Sequence, residues 1–306
     1  MSESHRLVAV LDTDIGTDVD DVLALTLLAN SPEFELAGIT TVYGDTVYRA
    51  RMARYFCDRL GKAGVPVVPG ERETISGDMV WWDGHEGEGI PGLDDIAVDE
   101  SIDAVSWLCE AAREHAGHLQ VFAIGPMTNI ARAIERDSGF ATSVGHLFIM
   151  GGAYWLEQSE HNIRSDVAAA DIVFRSKIPM TVCGLDVTTR VWIREDGVDS
   201  IQRSMGETGE VLAGQIRRWF RFMEDHGIAS GTVTATHLHD PLAILPAVRP
   251  DLFSFEACDV SVGIDGETRG WTRLENCGSG TIRVAKDVDT EAAEREILKR
   301  IIEAAG

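Results

Sequence analysis

Residues 10–25 read VLDTDIGTDVDDVLAL, which places Asp12, Asp14, Asp18, Asp20 and Asp21 within ten positions, directly behind the apolar run Leu7 to Leu11. Carboxylates crowded this closely repel one another, and burying one is costly unless a cation or hydrogen-bond donors compensate it. The stretch is therefore either a solvated loop or half of a cation site. Several hard oxygens converging at a strand end suit Ca²⁺ or Mg²⁺ better than zinc, because no Cys or His accompanies them. Asp20 and Asp21 also open a helix, where acids interact favourably with the helix dipole without any metal, so that pair alone proves little.

Two look-alikes can be weighed on spacing. A calcium loop of the EF-hand type needs Gly at its sixth position and Glu at its twelfth. Counted from Asp12 those positions are Thr17 and Leu23, and the stretch follows a strand and not a helix, which excludes that reading. A haloacid-dehalogenase type of phosphatase would use Asp12 and Asp14 as nucleophile, general acid and Mg²⁺ ligand. It also needs a downstream Lys and a later acidic pair. Lys177 in FRSKIPM has no such pair suitably behind it, so this reading stays as an alternative.

The elements that must position these residues follow from the apolar periodicity. Strand-length apolar runs fall near 7–13, 35–42, 65–68, 119–125, 144–150 and 180–185, with helical patterns at 20–30, 48–60, 101–115, 128–137 and 165–176 between them. This alternation predicts a doubly wound α/β fold, with a mainly parallel central sheet covered by helices on both faces. Beyond about 195 comes a long helical stretch, 198–226, interrupted at Gly206 and Gly209, then a short helix at HDPLAILP. Strand-like segments at 253–264, 270–274 and 280–285 and a final helix from Thr290 complete the pattern. No hinge-like linker interrupts it, so a single domain over 1–306 is expected.

Composition narrows the class of partner. The 306 residues carry 50 acidic against 27 basic side chains, a formal charge of −23, which argues against a nucleic-acid backbone or an anionic membrane as partner. The five cysteines are odd in number and widely spaced, which argues against a disulfide framework or a zinc site and favours a reducing compartment. With no signal-like or membrane-spanning window, a cytoplasmic location is expected.

In this frame the chain resembles the inosine-uridine preferring nucleoside hydrolases, a family of Ca²⁺-dependent N-ribohydrolases. The family's DxDxGxDD opening is similar to Asp12-Thr-Asp14-Ile-Gly16 followed by Asp20-Asp21. AGITTVYGD (37–45), AIGPMTNIARAI (123–134), FIMGGAY (148–154), SEHNIRSDVAAADIVF (159–174) and HDPLAIL (239–245) resemble further family segments in the same order. The resemblance implies hydrolysis of ribonucleosides to ribose and free base, and a homodimer or homotetramer. It also implies that Asp14 binds Ca²⁺ and acts as general base. Asp21, Asp240 and the main-chain carbonyl of Thr128 would share the ion, while Asp20, Glu160 and Asn162 would grip ribose hydroxyls. His239 would protonate the departing base, an acid role suited to a side chain that titrates near neutrality, with His237 close enough to help.

Departures from the pattern bear on the site. The spacing from Gly16 to the aspartate pair is two residues longer than is common, which leaves Asp18 without a role and Asp12 in support from behind. Asp45 stands where an Asn near the ribose is usual and is grouped with the substrate contacts. WWDGHEGEGIPG, within the long connection 70–99, resembles the family's HGxxGL region; there His85 could approach the base and Trp81 or Trp82 stack on it, or the tryptophans pack the loop onto the body. A non-catalytic nucleoside or Ca²⁺ binder on the same fold is the remaining alternative.

Overall fold

A computed structural model of the chain describes residues 6–16, 18–80, 86–228 and 231–303. Its strands are β1 (Leu7–Thr13), β2 (Phe34–Thr41), β3 (Val67–Pro69), β4 (Leu119–Ala123), β5 (Val144–Met150), β6 (Met180–Cys183), β7 (Trp192–Arg194), β8 (Ala235–His237), β9 (Phe253–Val262), β10 (Thr272–Glu275) and β11 (Ile282–Val288). Its helices are α1 (Asp20–Asn30), α2 (Thr46–Arg59), α3 (Ala104–Glu114), α4 (Thr128–Arg136), α5 (Phe140–Ser143), α6 (His161–Ser165), α7 (Val167–Arg175), α8 (Leu185–Thr188), α9 (Glu195–Ser204), α10 (Gly206–Asp225), α11 (His239–Ile244) and α12 (Thr290–Ile302).

Nine strands form one sheet in the order β10-β9-β11-β6-β5-β4-β1-β2-β3. The run from β3 to β11 is parallel throughout, and β9 and β10 add an antiparallel edge. The chain steps outward from β1 through β2 to β3, then returns to β4 on the other side of β1 and continues to β6. The switch point of this double winding lies between β1 and β4, the place where open α/β sheets leave a crevice beyond the strand ends.

Alternation along β1 explains why the strand reads as an unbroken apolar run. Ala9 and Leu11 pack into the core beneath α1, α2 and the C-terminal helices, whereas Val10 points to the opposite core under α3, α4 and α7. Both faces are covered, as expected for parallel strands.

Three local outcomes differ from the sequence expectation. The short strands β7 and β8, which pair antiparallel outside the main sheet, carry no distinct apolar run and were not foreseen. The break in the long helical stretch falls at Gly206, whose φ of 56° suits a residue without a side chain. Gly209, in contrast, lies within α10, where a Cβ would run into the Ile201 carbonyl of α9; its role is close approach and not interruption. Finally, Cys258 and Cys277 are disulfide-bonded, because the β9 to β10 hairpin brings residues 19 apart in sequence to a Cα separation of 4.1 Å. That corrects the expectation drawn from cysteine spacing alone, while Cys57, Cys109 and Cys183 are free and buried.

One buried carboxylate ties the long connection after β3 to the body. Asp166, fully buried, accepts hydrogen bonds from the Ile75 and Ser76 backbone N–H groups, the Ser76 and Thr128 hydroxyls, and Ala169 N–H at 2.8–3.1 Å. Asp166→Ala leaves buried donors unpaired and is expected to lower unfolding free energy by about 3 kcal/mol in a denaturant titration. A loss under about 0.5 kcal/mol, the ordinary range of surface changes, would show the tie to be dispensable.

His146 on β5 offers a separate check on the packing. Burial, with Arg283 nearby, lowers its pKa from 6.5 to about 4, and its ring contacts Thr181 Oγ1 at 2.9 Å and Phe148. A histidine held neutral in the fold but free to protonate when unfolded contributes stability above its unfolded pKa, lost as pH falls toward the folded value. Thermal stability is therefore expected to drop between about pH 6.5 and 4, and His146→Phe to narrow the difference in Tm between pH 7 and pH 5.

Candidate active site

The carboxyl ends of β1, β4 and β5 open onto a cavity of about 310 Å³. Asp14 follows β1 directly, Ile124 follows β4, and Met150 ends β5; all three line the cavity. Gly125 lies so close to Asp14 that a Cβ there would stand 2.8 Å from the Asp14 N and Oδ1 atoms, which explains a glycine at the end of that strand. Asp20 and Asp21 enter as the first residues of α1, and Asp240 as the second residue of α11.

These carboxylates are nearly all removed from solvent: Asp14, Asp20, Asp21 and Asp240 are 2–4% exposed. The two distant halves of the site touch directly, since the Asp240 backbone N–H donates to Asp20 Oδ2 at 3.1 Å. Thr13 Oγ1 donates to Asp21 Oδ1 at 2.5 Å. Burial first, and then repulsion from neighbouring carboxylates, pushes Asp20, Asp21 and Asp240 well above the usual carboxylate range. Asp12 sits behind them, fully buried, accepting from Thr40 Oγ1 and Asn129 Nδ2, with burial raising its pKa to about 7.

Asp18, without a role in the sequence, joins the cluster. Carboxylate oxygens of Asp18, Asp20 and Asp21 can all lie within 4.8 Å of one another, and Asp18 lines the cavity. Its Oδ1 also accepts the Asp20 backbone N–H at 2.8 Å, which caps the start of α1 where Val19 has no side chain able to do so. The donor set is carboxylate oxygen only, repelling itself in a buried place, and this fits a hard divalent cation. Thr128, whose main-chain carbonyl was expected to join that set, opens α4 as a buried residue with its hydroxyl engaged by Asp166.

The far wall is built by the segment after β5. Glu160 Oε1 accepts from Asn162 N–H at 2.8 Å, and its Oε2 from Ile163 and Gly152 N–H at 3.0 and 3.1 Å, which fixes the carboxylate at the start of α6. Asn162, which lines the cavity, donates from Nδ2 to the carbonyls of Ile124 and Met150 at 2.9 and 3.2 Å. Between these two residues His161, missed at the sequence level, brings its Nε2 to 3.8 Å from Asp14 Oδ2. Its position between two expected sugar contacts was the available signal.

Other expected contacts are placed differently. His239 does line the cavity, with Nδ1 2.8 Å from Thr188 Oγ1. Burial, with His237 nearby, lowers its pKa to about 4, so it is neutral at pH 7 and the expected titration near neutrality does not hold. His237 is outside the cavity lining, tilted against the Trp192 ring and with its own ring centroid 5.0 Å from that of His239. Asp45 also faces elsewhere: it caps α2 through Tyr48 N–H, pairs with Arg72 at 3.0 Å, and its side chain is 61% exposed, so it does not line the cavity. Trp81, Trp82 and His85 lie outside the described residues. Among the described residues Trp219 of α10 brings an indole to the cavity wall, stacked on Phe222 and hydrogen-bonded through Nε1 to Thr236 Oγ1.

Comparison with known proteins agrees with this arrangement. The family model described as inosine-uridine preferring nucleoside hydrolase matches residues 9–295. Uridine nucleosidase 1 of Arabidopsis thaliana is 31% identical over 96% of this chain and 92% of its own length. The pyrimidine-specific ribonucleoside hydrolase RihA of Photobacterium profundum is 30% identical over 87% of this chain and 88% of its own. Among solved structures, a plant nucleoside hydrolase, PpNRh1, superposes with a TM-score of 0.87 at 26% identity, covering 97% of this chain and 99% of that one. A purine-preferring ribonucleoside hydrolase from Gardnerella vaginalis gives 0.82 at 29%, covering 96% and 98%. With its buried aspartates at the β1/β4 switch point and this match along nearly its whole length, the chain belongs to the inosine-uridine preferring nucleoside hydrolase family, enzymes that split ribonucleosides into ribose and free base.

Proposed function

We propose that this chain is a Ca²⁺-dependent ribonucleoside hydrolase that acts on pyrimidine nucleosides, uridine foremost. The observation that carries the metal-dependent part is the meeting of Asp14, Asp20, Asp21 and Asp240 in one buried all-oxygen cluster drawn from segments more than two hundred residues apart. The pyrimidine preference is supported by relatives named uridine nucleosidase and pyrimidine-specific hydrolase. A cavity of about 310 Å³ suits a single nucleoside.

Asp14, Asp21 and Asp240, with the Thr128 carbonyl, would hold the cation, which when bound acidifies and orients the attacking water. The Asp14 carboxylate takes the proton from that water as it approaches the anomeric carbon. Breaking the N-glycosidic bond leaves positive charge on the ribose, and the surrounding carboxylates stabilise that charge as it develops. Asp20, Glu160 and Asn162 Oδ1 accept hydrogen bonds from ribose hydroxyls and hold the ring in place. His239, neutral at pH 7, assists the departing base as a hydrogen-bonding imidazole and not as a stored proton. Trp219 presents its face to the base.

As in the sequence reading, a homodimer or homotetramer and a cytoplasmic location belong to the proposal. Among the described residues no helix is long and apolar enough to cross a membrane.

The direct test incubates the protein with uridine, cytidine, inosine and adenosine, with Ca²⁺ or with chelator, and assays free ribose. Release is expected from uridine first and to be lost with chelator; full metal loading with no ribose from any nucleoside would leave the non-catalytic binder as the better account. Asp14→Asn is expected to cut kcat by about 10²-fold or more. Turnover near wild type in that variant, with metal still bound, would remove the general-base role. His239→Ala is expected to slow uridine more than an activated aryl riboside, whose leaving group needs no help; equal losses would tell against assistance to the base.

A further inference from the structure

Arg49 on α2 is fully buried, with a relative exposure of 0%. A guanidinium taken out of water is costly unless its donors are satisfied. Here the satisfaction is specific. Its Nε donates to the Tyr43 carbonyl at 2.7 Å, its Nη1 to the carbonyls of Asp14 and, at 3.0 Å, Ile15, and its Nη2 to Glu86 Oε1 at 3.2 Å. The carbonyls of Asp14 and Ile15 lie just past the last ladder residue of β1, where buried main-chain oxygens need a partner. Only a planar, multi-donor fork serves three carbonyls and a carboxylate at once; a lysine cannot.

A second route leads from Arg49 to the same aspartate. Tyr43 has a φ of 70°, a backbone conformation that a non-glycine residue adopts at a cost, and its carbonyl is held by Arg49. Its ring meets His161 edge-on with centroids 6.1 Å apart, and His161 Nε2 stands 3.8 Å from Asp14 Oδ2. Arg49 thus holds Asp14 at its backbone, and the Tyr43 carbonyl it also holds belongs to the residue packed against His161, the imidazole nearest the Asp14 carboxylate.

We infer that Arg49 is a positioning residue for the carboxylate site: by fixing the carbonyls of Asp14 and Ile15 it sets where the Asp14 carboxylate stands relative to Asp21. The inference rests on the reading that Asp14 both holds the cation and takes the proton. Arg49 is fully buried and does not line the cavity, so it acts on turnover through the groups it holds. Glu86 is the counter-charge that keeps it buried, and it ties the segment after residue 85 to the same point.

The test compares full-length wild type with Arg49→Met and Arg49→Lys. It measures Ca²⁺ affinity by calorimetry, kcat and KM on uridine, and Tm of the metal-free protein. Arg49→Met is expected to weaken Ca²⁺ binding and lower kcat by 10-fold or more each, the roughly 10–100-fold cost of losing support behind a metal ligand, with KM changed less than about threefold. Arg49→Lys keeps the charge without the fork and carries the test if the Met variant does not fold; its expected losses in Ca²⁺ affinity and kcat are about fivefold or more. If folded variants lose only Tm while Ca²⁺ affinity and kcat stay within twofold, Arg49 is structural and the inference is overturned. A wild-type protein that neither binds Ca²⁺ nor releases ribose would instead bring down the reading on which the inference rests.

Discussion

Five carboxylates withdrawn from water at one end of a sheet are the constraint to which the rest of this structure answers. Asp12, Asp14, Asp20, Asp21 and Asp240 are all buried, and a buried carboxylate is costly unless donors or a cation compensate it. The fold supplies part of what they need: hydroxyls from Thr13 and Thr40, the Asn129 amide, the first turn of α1, and the backbone of α11. What remains is negative charge of the kind that a hard divalent cation offsets.

Holding such a cluster together requires that its backbone not relax. Parallel strands do most of this, since β1, β4 and β5 end side by side and the residues just past their ends cannot spread without breaking the sheet. Buried polar side chains do the rest. Asp166 ties the connection after β3 to α4 and α7, Glu160 pins the start of α6, and Arg49 grips the turn after β1. In each case a buried acidic or basic side chain serves several main-chain groups that have no other partner in one place, and Glu160 lines the cavity as well.

Much of the frame was legible beforehand because it depends on local pattern. The runs at 7–13 and 144–150 are continuous apolar segments and form β1 and β5 over the same residues; the periodicity at 20–30 and 128–137 yields α1 and α4 to within a residue. The short strands β7 and β8 were not legible, because three residues paired outside the main sheet leave no periodic trace. Gly209 looked like an interruption for the same reason: composition shows a glycine, not the neighbouring helix that demands one.

The sequence by itself determined the residue types: an aspartate-rich turn after the first strand, a histidine and aspartate opening a late helix, a glutamate and asparagine between them, in an order that identified the family. The tertiary structure alone decided which of these meet and in what surroundings. It brought Asp18 into the cluster, turned Asp45 outward to cap α2 and pair with Arg72, and set Trp219 in the cavity wall. It also made His239 a neutral group at pH 7, lowering its pKa to about 4. The reason is physical: side-chain chemistry is written residue by residue, but burial, dielectric and the distance between charges belong to the packed chain as a whole.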